Sequence, residues 1–444
     1  MNEKALSDPA SSARPGPLTT LFELQRLKRS GRASLAELQR LQLARLRRMV
    51  DHASRNVALF RELFPAQPAG LLEQVDDIRR LPLTERRIYR ERRLEERLAC
   101  PPSPGSRALT TSGSAGEPLP TFQSPGASWY QGVLRLRMER ERGLRLWDRR
   151  LALTWYPNQR HRRGISALIP SPFMEISATG SADAAAREIV RLRPASLAGP
   201  GALLIEIGER LGGRFTPRCL ATHGDTLDEW TKRSLTSLYR REPIDHYGTA
   251  EVGSVAWHCA KGDLYHVNHE AVLVEVLDGD GRPAAAGETG ELVVTSLWNP
   301  LMPMIRYRTG DYATLADRPC ACGHNLPALA SILGRIHDWL IDDSGRRVPP
   351  DRFYLLTEDP SRRVVRRYRV RQDAAGVVHV EVVPYEKMPA AFVDSVREQY
   401  HEALGRSARV EVEEVAELTP NSSVKFRLIT SELSSRVAHT PPIR

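Results

Sequence analysis

Long apolar runs and cysteines are scarce in this sequence of 444 residues. No segment approaches the roughly 18 consecutive apolar residues that a membrane-spanning helix needs. The first residues, MNEKALSDPASSARPGP, lack the apolar stretch of an export signal. Five cysteines are too few for a disulfide framework, and their odd number favours reduced thiols or metal ligands. The sequence therefore predicts a cytoplasmic protein without a membrane segment.

Lysine is also rare, although the formal net charge is +10. Only six residues are lysines, and the remaining positive charge is arginine spread along predicted helices. Residues 1–100 hold 20 Lys and Arg against 13 Asp and Glu, and no basic motif interleaved with aromatic residues occurs. Because nucleic-acid binding needs a concentrated basic footprint of that kind, we expect no nucleic-acid partner.

The N-terminal part is predicted to be a helical layer. Residues 1–18 are rich in Ser, Pro and Ala and are expected to form a flexible tail. In the layer at residues 19–100, Ser34 and Glu37 form a capping box before a leucine-rich helical pattern. Residues 71–98 are predicted to be a second helical stretch, interrupted at Pro82.

The rest of the chain predicts an α/β fold in two parts. Short apolar runs alternate with helical patterns up to about residue 340, so residues 19–337 are predicted to be a large N-terminal α/β domain. After Gly345, RRYRVRQ and VVHVEVV flank DAAG like a hairpin, followed by a helix at 390–404 and a strand at 409–415. Residues 338–444 are therefore predicted to be a small C-terminal α+β domain.

A loop of small and hydroxylated residues, TTSGSAG, is followed by Glu117 and Pro118. Such a loop lets backbone N–H groups converge on phosphate oxygens, and its hydroxyls add donors. It matches neither the P-loop pattern nor the dinucleotide fingerprint, and a segment of this kind is more often a plain loop. The candidate phosphate-binding residues are Thr110, Thr111, Ser112, Gly113, Ser114 and Gly116.

Four further segments carry charged residues suited to a nucleotide. Glu251 follows HYGTA in a segment expected at a strand terminus, where open α/β sheets bind ligands. Asp311 is expected beside a glycine turn after a strand, where its carboxylate can accept two ribose hydroxyls. Arg335 suits phosphate or ribose oxygens, and Lys425 lies on a predicted turn after Pro420.

The order of these segments resembles the adenylate-forming superfamily of acyl-CoA synthetases, adenylation domains and luciferases. Five motifs occur in the family's order, namely TTSGSAGEP, YGTAE, RYRTGD, GRIHD and PNSSVKFR. More narrowly, the sequence is similar to the phenylacetate-CoA ligase-like branch, as LPLTER, LRPASLAGPGALL and the CACGH element indicate. The resemblance extends from about residue 35 to residue 430. It implies a mobile C-terminal domain that rotates about a hinge at His337 and Asp338.

The resemblance also implies a role for each motif. The loop at 110–116 would hold the β- and γ-phosphates of ATP, and Glu251 would coordinate Mg²⁺. Asp311 would bind the ribose hydroxyls and Arg335 the ribose-phosphate, while Lys425 would bridge the substrate carboxylate and the α-phosphate. A carboxylate oxygen attacks an anionic phosphorus, so cations must offset the repulsion as pyrophosphate leaves. The residues expected near the adenine and the α-phosphate are Gly224, Tyr247, Gly248 and Thr249.

Several positions depart from the family pattern. Ala250 replaces the usual Thr or Ser before the metal-binding Glu, so a hydroxyl contact to the α-phosphate is missing or comes from Thr249. Leu119 occupies a position where the family often has Lys, and His337 a hinge position that is usually Asp or Lys. Val424 precedes Lys425, where the family usually has Gly. None of these changes removes a charge that the chemistry requires, but together they keep an inactive nucleotide-binding relative as an alternative.

Four residues have the donor set of a zinc site. Cys320 and Cys322 lie one residue apart in CACGH, and Cys259 and His266 flank a short turn-like segment. Three thiolates and one imidazole suit tetrahedral Zn²⁺, and a closed shell of four ligands implies a structural role. His258, His269 and His324 are rival ligands. The alternative is that these are reduced cysteines and a surface histidine.

The resemblance implies an ATP- and Mg²⁺-dependent ligase that activates a small carboxylic acid as an acyl-AMP. The acyl group would pass to the thiol of CoA or of a carrier protein's phosphopantetheine arm, and an amine acceptor is the alternative. Trp155, Tyr156 and His223 are candidates for the acid pocket, which would suit an aromatic or small planar acid. The acid and the oligomeric state, a homodimer included, stay open at this point.

Overall fold

The computed structural model describes residues 15–110, 119–154, 173–177, 182–224, 227–335, 338–354, 364–418 and 428–433. The helices of the N-terminal layer are α1 (Pro17–Ser30), α2 (Leu35–Asn56), α3 (Ala58–Leu63), α4 (Arg86–Arg90) and α5 (Leu94–Arg97). The predicted capping box opens α2, since Ser34 Oγ accepts from the Glu37 N–H and the Glu37 carboxylate accepts from the Ser34 N–H. The apolar face of α2 buries Leu46 and Val50 in the same core as the large sheet.

Residues 71–98 are helical on both sides of a break at Pro82, as the sequence predicts, but in short pieces. The 3₁₀ helix Pro68–Leu71 precedes this range, the 3₁₀ helix Val75–Arg80 lies within it, and extended backbone follows before α4 and α5. The N–H of Thr84 donates to the carbonyl of Arg306 at 2.8 Å, and the N–H of Arg308 donates to the carbonyl of Thr84 at 2.8 Å. These hydrogen bonds to a strand far along the chain hold the break at Pro82, so the interruption that the sequence predicts is fixed by tertiary structure.

A hairpin and a large sheet follow the helical layer. The hairpin consists of β1 (Arg107–Thr110) and β2 (Pro120–Gln123), which pair antiparallel. The sheet has eleven strands in the spatial order β10-β11-β12-β13-β9-β8-β7-β6-β5-β3-β4. Its strands are β3 (Arg150–Thr154), β4 (Phe173–Ser177), β5 (Ser196–Gly199), β6 (Cys219–His223), β7 (Pro243–Thr249), β8 (Gly253–His258), β9 (Tyr265–Val267), β10 (Val272–Leu277), β11 (Thr289–Ser296), β12 (Tyr307–Leu315) and β13 (Ala328–Arg335).

The strand pairing in the sheet changes from parallel to antiparallel at β7. Strands β4, β3, β5, β6 and β7 are parallel to one another, whereas every pairing from β7 to β10 is antiparallel. The helices among these strands are α6 (Pro125–Glu141), α7 (Ala182–Leu192), α8 (Gly201–Leu211) and α9 (Glu229–Tyr239). Leu204 and Leu235 from the helices pack with Leu151 and Leu220 from the strands. Burying each such side chain contributes about 1.5–3 kcal/mol, so the parallel half is a rigid support.

The C-terminal part forms its own sheet and core. Its elements are β14 (Leu340–Ile341), β15 (Arg347–Val348), the 3₁₀ helix Pro350–Phe353, β16 (Val365–Gln372), β17 (Val378–Pro384), α10 (Ala390–Leu404), β18 (Val410–Glu414) and β19 (Ile429–Ser431). β16 and β17 form the predicted hairpin, whose turn is closed by the N–H of Asp373 donating to the carbonyl of Val377 at 3.0 Å. β18 and β19 add to it as parallel outer strands.

Contacts with α8 and α9 hold this C-terminal sheet against the large domain. The indole N–H of Trp230 donates to the carbonyl of Val365 at 3.3 Å, and its ring meets the edge of Tyr368 with centroids 5.6 Å apart. The carboxylate of Glu209 accepts from Arg366 at 3.2 Å and from the Tyr385 hydroxyl at 3.3 Å. The two parts therefore share an interface with both an apolar and a charged component.

The architecture agrees with the predicted class, an α/β fold with a helical N-terminal layer and a smaller α+β part at the C-terminus. Local patterns of alternating apolar residues predicted most of it, since the covered faces of helices and strands must be apolar. Within the described ranges, no helix combines the length and the apolar character needed to cross a membrane.

Candidate active site and metal centre

Three neighbouring parallel strands end at one edge of the sheet. β5 ends at Gly199, β6 at His223 and β7 at Thr249. Carboxyl ends of parallel strands form the ligand-binding edge of open α/β sheets. His223 is half-buried, and it is the Cα partner of His246 on β7. This edge therefore carries His223, Gly224 and the end of the YGTAE motif, and the sequence predicts this last segment at a strand terminus.

Tyr247, Asp311 and Arg335 meet beside this edge. Asp311 and Arg335 are Cα partners across β12 and β13, with Arg335 Nε 3.7 Å from Asp311 Oδ1. The Tyr247 hydroxyl donates to Asp311 Oδ2 at 2.5 Å. Burial, and then the charge of Asp311, raise the pKa of Tyr247 well above its usual value, so the phenol keeps its proton. Asp311 lies inside β12 rather than after a strand, which corrects that prediction.

Glu251 lies in the turn between β7 and β8 and is 6% exposed. Its Oε1 accepts hydrogen bonds from Arg86 Nη2 and from the Tyr307 hydroxyl, both at 3.0 Å. Among the described residues, none donates a hydrogen bond to Oε2 of Glu251. A buried carboxylate with one oxygen still available fits a hard cation such as Mg²⁺.

Arg86 and Tyr307 were not predicted as site residues. Burial by itself lowers the pKa of the Arg86 guanidinium, but the negative charge of Glu251 and its hydrogen bonds outweigh burial and raise that pKa. Burial, and then Glu251, raise the pKa of Tyr307. Both residues lie in motifs that the resemblance uses, LPLTER and RYRTGD, and this is the only signal in the sequence that could have found them.

The β1–β2 hairpin is tied to the Glu251 turn. Thr110 and Pro120 are Cα partners at the end of the hairpin where its connecting loop begins and ends, and the predicted phosphate loop starts from Thr110 there. The Thr121 hydroxyl donates to the carbonyl of Ala250 at 3.1 Å. The hydroxyl of Thr249 accepts from the N–H of Val252 at 3.2 Å and closes the turn. The structure thus brings the strands that flank the predicted phosphate loop next to the Glu251 turn.

Gly248 has a structural reason to be glycine. A Cβ at this position would lie 2.5 Å from the carbonyl oxygen of Gly253, closer than real Cβ contacts allow. The pairing of β7 with β8 shifts register at this point. The YG of the motif therefore permits the tight β7–β8 turn that holds Glu251 at the edge of the sheet.

Several predicted site residues lie outside the described residues. They belong to the phosphate loop, the acid pocket, the hinge and the C-terminal lysine motif. They are Thr111, Ser112, Gly113, Ser114, Gly116, Trp155, Tyr156, His337 and Lys425. Their proposed roles remain predictions from the sequence.

The predicted zinc ligands converge in the structure. Cys259, His266, Cys320 and Cys322 each offer one donor atom, and the four atoms all lie within 4.8 Å of one another. His266 Nε2 is 3.2 Å from Cys322 Sγ. Cys259 follows β8, His266 lies on β9, and the two other cysteines precede β13, which pairs with β9. Pairing of β9 with β8 and β13 therefore assembles the cluster.

The surroundings of the cluster suit thiolate ligands. The N–H of Lys261 points at Cys259 Sγ and the N–H of His324 at Cys322 Sγ, both at 3.4 Å. A Cβ at Gly262 would lie 2.7 Å from Cys320 Sγ, so glycine lets the backbone pass close to the sulfur. Backbone N–H groups aimed at sulfur stabilise a negative charge there. The donor set and its cradle therefore fit a tetrahedral Zn²⁺.

Without a bound cation, burial keeps the cluster uncharged. Burial raises the pKa of the Cys322 thiol to about 12 and lowers the pKa of the His266 imidazole to about 4. A bound cation lowers the pKa of a thiol, because the cation binds the thiolate and releases the proton. Of the rival ligands, His269 pairs with Gln42 at 3.0 Å, and His258 packs edge-on against Tyr265. The ring of His324 lies 5.2 Å from that of His266 but does not join the group of four.

Comparisons with known proteins concern the sequence and the overall fold. No family model matches the chain. A phenylacetate-coenzyme A ligase of Thermus thermophilus is 42% identical over 77 residues, which are 17% of this chain and 17% of that protein. The enzyme of the same name from Aromatoleum evansii is 29% identical over 194 residues, 42% of each chain. The matched segments thus span less than half the length of these curated relatives.

Structural similarity to solved proteins covers nearly the whole chain. A crystal structure of 2-hydroxyisobutyryl-CoA ligase in the postadenylation state, in complex with 2-HIB-AMP, has a TM-score of 0.72 at 18% identity and covers 90% of each chain. The same ligase in the thioesterification state has a TM-score of 0.60. The chain thus has the fold of this acyl-CoA ligase. Over the matched segments its sequence is similar to the phenylacetate-CoA ligases, so the resemblance inferred from the motifs is confirmed.

Proposed function

We propose that this protein is an ATP- and Mg²⁺-dependent ligase that joins a small carboxylic acid to AMP, releases pyrophosphate and then transfers the acyl group to the thiol of CoA. The observation that carries the proposal is the meeting of Tyr247, Asp311 and Arg335 beside Glu251 at the carboxyl edge of the sheet. The names of the matched relatives support CoA over a carrier protein as acceptor.

The described residues suit the binding and orientation of the nucleotide. The two carboxylate oxygens of Asp311 can accept the two hydroxyls of a ribose, and Tyr247 and Arg335 contact that carboxylate from both sides. Tyr247 keeps its proton at neutral pH because burial and Asp311 raise its pKa. A ribose held at Asp311 would direct the phosphates toward Glu251 and the ends of the 110–116 loop.

The reaction needs positive charge around the α-phosphate. A carboxylate oxygen of the acid forms a bond to the α-phosphorus while the bond to the pyrophosphate oxygen breaks, and both partners are anionic. Mg²⁺ held by Glu251 would neutralise phosphate charge and orient the leaving group. Lys425 is proposed to lie between the two reacting anions, where a preorganised donor contributes roughly 10²- to 10³-fold in rate.

The second half-reaction is proposed to use a rotated C-terminal domain, with the boundary at residues 337 and 338. The interface of Trp230 and Glu209 with the C-terminal sheet is small and partly polar, which suits a contact that forms and breaks. Rotation would withdraw Lys425 and open a path for the thiol. The Cys259, His266, Cys320 and Cys322 cluster is proposed to hold a structural Zn²⁺ that fastens β8, β9 and β13 together.

The test is exchange of labelled pyrophosphate into ATP across a library of aromatic and small aliphatic acids, followed by AMP release with and without CoA. Acid-dependent exchange, with AMP release that CoA accelerates, is the expected result. AMP release that needs an amine instead of CoA would show that the acyl acceptor is an amine rather than CoA. Nucleotide binding without exchange for any acid, in folded protein, would favour a non-catalytic relative and refute the proposal.

A further inference from the structure

Arg86 connects the helical layer to the metal-binding carboxylate. Its Nη2 lies 3.0 Å from Glu251 Oε1, the oxygen that also accepts from Tyr307. The side chains of Arg86 and Glu251 are 19% and 5% exposed, so this ion pair is largely shielded from water. None of the roles proposed above for the nucleotide site uses Arg86.

The backbone holds Arg86 in this position. The residue begins α4 directly after the extended segment that pairs with β12 through Thr84. Thr84 is fully buried, and its hydroxyl donates to the carbonyl of Ile305 at 2.8 Å. Arg86 is therefore anchored two residues from a point that cannot shift without breaking backbone hydrogen bonds to the large sheet.

The guanidinium has donor capacity left. Nη1 of Arg86 is buried and has no hydrogen-bond partner among the described residues. Burial of such a group without a partner is costly. An anion that arrived beside Glu251 would find this donor of a charged guanidinium still available, and a triphosphate arrives there if the proposed function is correct.

The pair also affects what a metal ion meets at Glu251. Because Arg86 neutralises the carboxylate, a divalent cation approaching alone meets no net negative charge and is repelled by the guanidinium. A triphosphate brings several negative charges and can take Arg86 as a partner, which makes Glu251 available to the metal. The arrangement thus couples the two binding events.

We propose that Arg86 makes metal binding at Glu251 conditional on the triphosphate, by pairing with Glu251 when the metal is absent and with a phosphate oxygen when the metal binds. The proposal deepens the proposed function and rests on it for the identity of the anion. Arg86 would touch the substrate in the nucleotide complex and position Glu251 otherwise. The charge it supplies comes from the helical layer, whose only proposed role until now is packing.

Binding of Mn²⁺ alone tests the first half of the proposal. Arg86→Gln should bind Mn²⁺ without nucleotide about tenfold tighter or more than the parent, measured by electron paramagnetic resonance, because one positive charge is lost beside Glu251. The double variant Arg86→Gln, Glu251→Gln should lose that gain, and Arg86→Lys, which keeps the charge, should bind Mn²⁺ as the parent does. Arg87→Gln is the matched control, since Arg87 is the adjacent arginine and its side chain is 75% exposed.

The KM for ATP tests the second half of the proposal, the pairing of Arg86 with a phosphate oxygen. Arg86→Gln should raise the KM for ATP in pyrophosphate exchange by about tenfold or more, because a charge-assisted hydrogen bond to phosphate is lost. Unchanged Mn²⁺ affinity in a folded Arg86→Gln protein would overturn the proposal, whatever the KM. So would an Arg86→Gln KM equal to that of Arg87→Gln. Absence of exchange in the parent would count against the proposed function alone, since the Mn²⁺ measurement needs no turnover.

Discussion

The hydroxyl of Tyr247 donates a hydrogen bond to Oδ2 of Asp311 at 2.5 Å, joining a strand of the parallel half of the sheet to one of the antiparallel half. Arg335 approaches the other oxygen of the same carboxylate from β13. Tyr247 is thereby bonded to a carboxylate that lies 64 positions further along the sequence. The proposed ribose site is therefore a product of strand order, since β7 and β12 are separated by three strands in that sheet.

Asp311→Asn is expected to raise the KM for ATP by about tenfold or more, because hydrogen bonds from a ribose to a charged carboxylate are worth about 1.5–3 kcal/mol. Pyrophosphate exchange at varied ATP concentration measures it. The matched control is Asp317→Asn, an exposed carboxylate just beyond the same strand. Equal KM values for the two variants would contradict the assignment of Asp311.

Lys425→Ala is expected to slow acyl-adenylate formation by roughly 10²- to 10³-fold while the melting temperature stays near that of the parent. Single-turnover quench with a reactive acid measures the rate. Lys387→Ala is the control, because Lys387 is an exposed lysine of the same C-terminal part. A Lys425 variant with the parental single-turnover rate would refute the role.

Purified protein is expected to carry about one zinc per chain, because the four donors can complete one tetrahedral shell. Cys322→Ser should lose the metal and lower the melting temperature, whereas Cys100→Ser should do neither, since Cys100 lies outside the group of four. Metal analysis and thermal unfolding provide the readouts. Less than about a tenth of a zinc per chain would reject the site.

Trp230→Ala is expected to weaken the present domain arrangement, because the indole contacts Val365 and Tyr368 across the interface. Adenylate formation should slow by roughly tenfold, a typical size for such a coupling, while thioester formation from preformed adenylate is unchanged or faster. Trp147→Ala is the matched control, since Trp147 is 70% exposed. Equal slowing of both half-reactions would argue against a role in domain arrangement.

Asp228→Asn is expected to stabilise the protein at pH 7.5 and to have little effect at pH 4. Burial raises the pKa of Asp228 from 3.8 to about 6, while both carboxylate oxygens accept bonds from Thr231. A raised pKa in the folded state means that stability is lost as pH rises from about 4 to about 6. Asn keeps the cap at α9 without the charge, and the gain should be about 2–3 kcal/mol at neutral pH. Denaturant unfolding at both pH values measures it, and an equal effect at both would contradict the sign.

Local signals explain which elements were predictable. The hairpin of β16 and β17 has alternating strands around DAAG, and α10 occupies the predicted residues 390–404. The helical stretch at 71–98 breaks at Pro82 as predicted, but only the structure shows that Thr84 in this break pairs with β12, whose sequence lies more than 200 residues away. Nothing near Thr84 in the sequence carries the pairing information. Arg86 was missed for the same reason, since its partner Glu251 is distant in sequence.

The sequence alone determined the fold class, the ordered motifs and the residue types of the metal cluster, because these depend on hydrophobic period and on the chemistry of single side chains. Only the tertiary structure decided that Asp311 faces Tyr247 and Arg335, that Arg86 neutralises Glu251, and that β9 brings His266 to the three cysteines. The physical reason is that such contacts depend on strand order and register across a sheet, which are set by the packing of the whole chain.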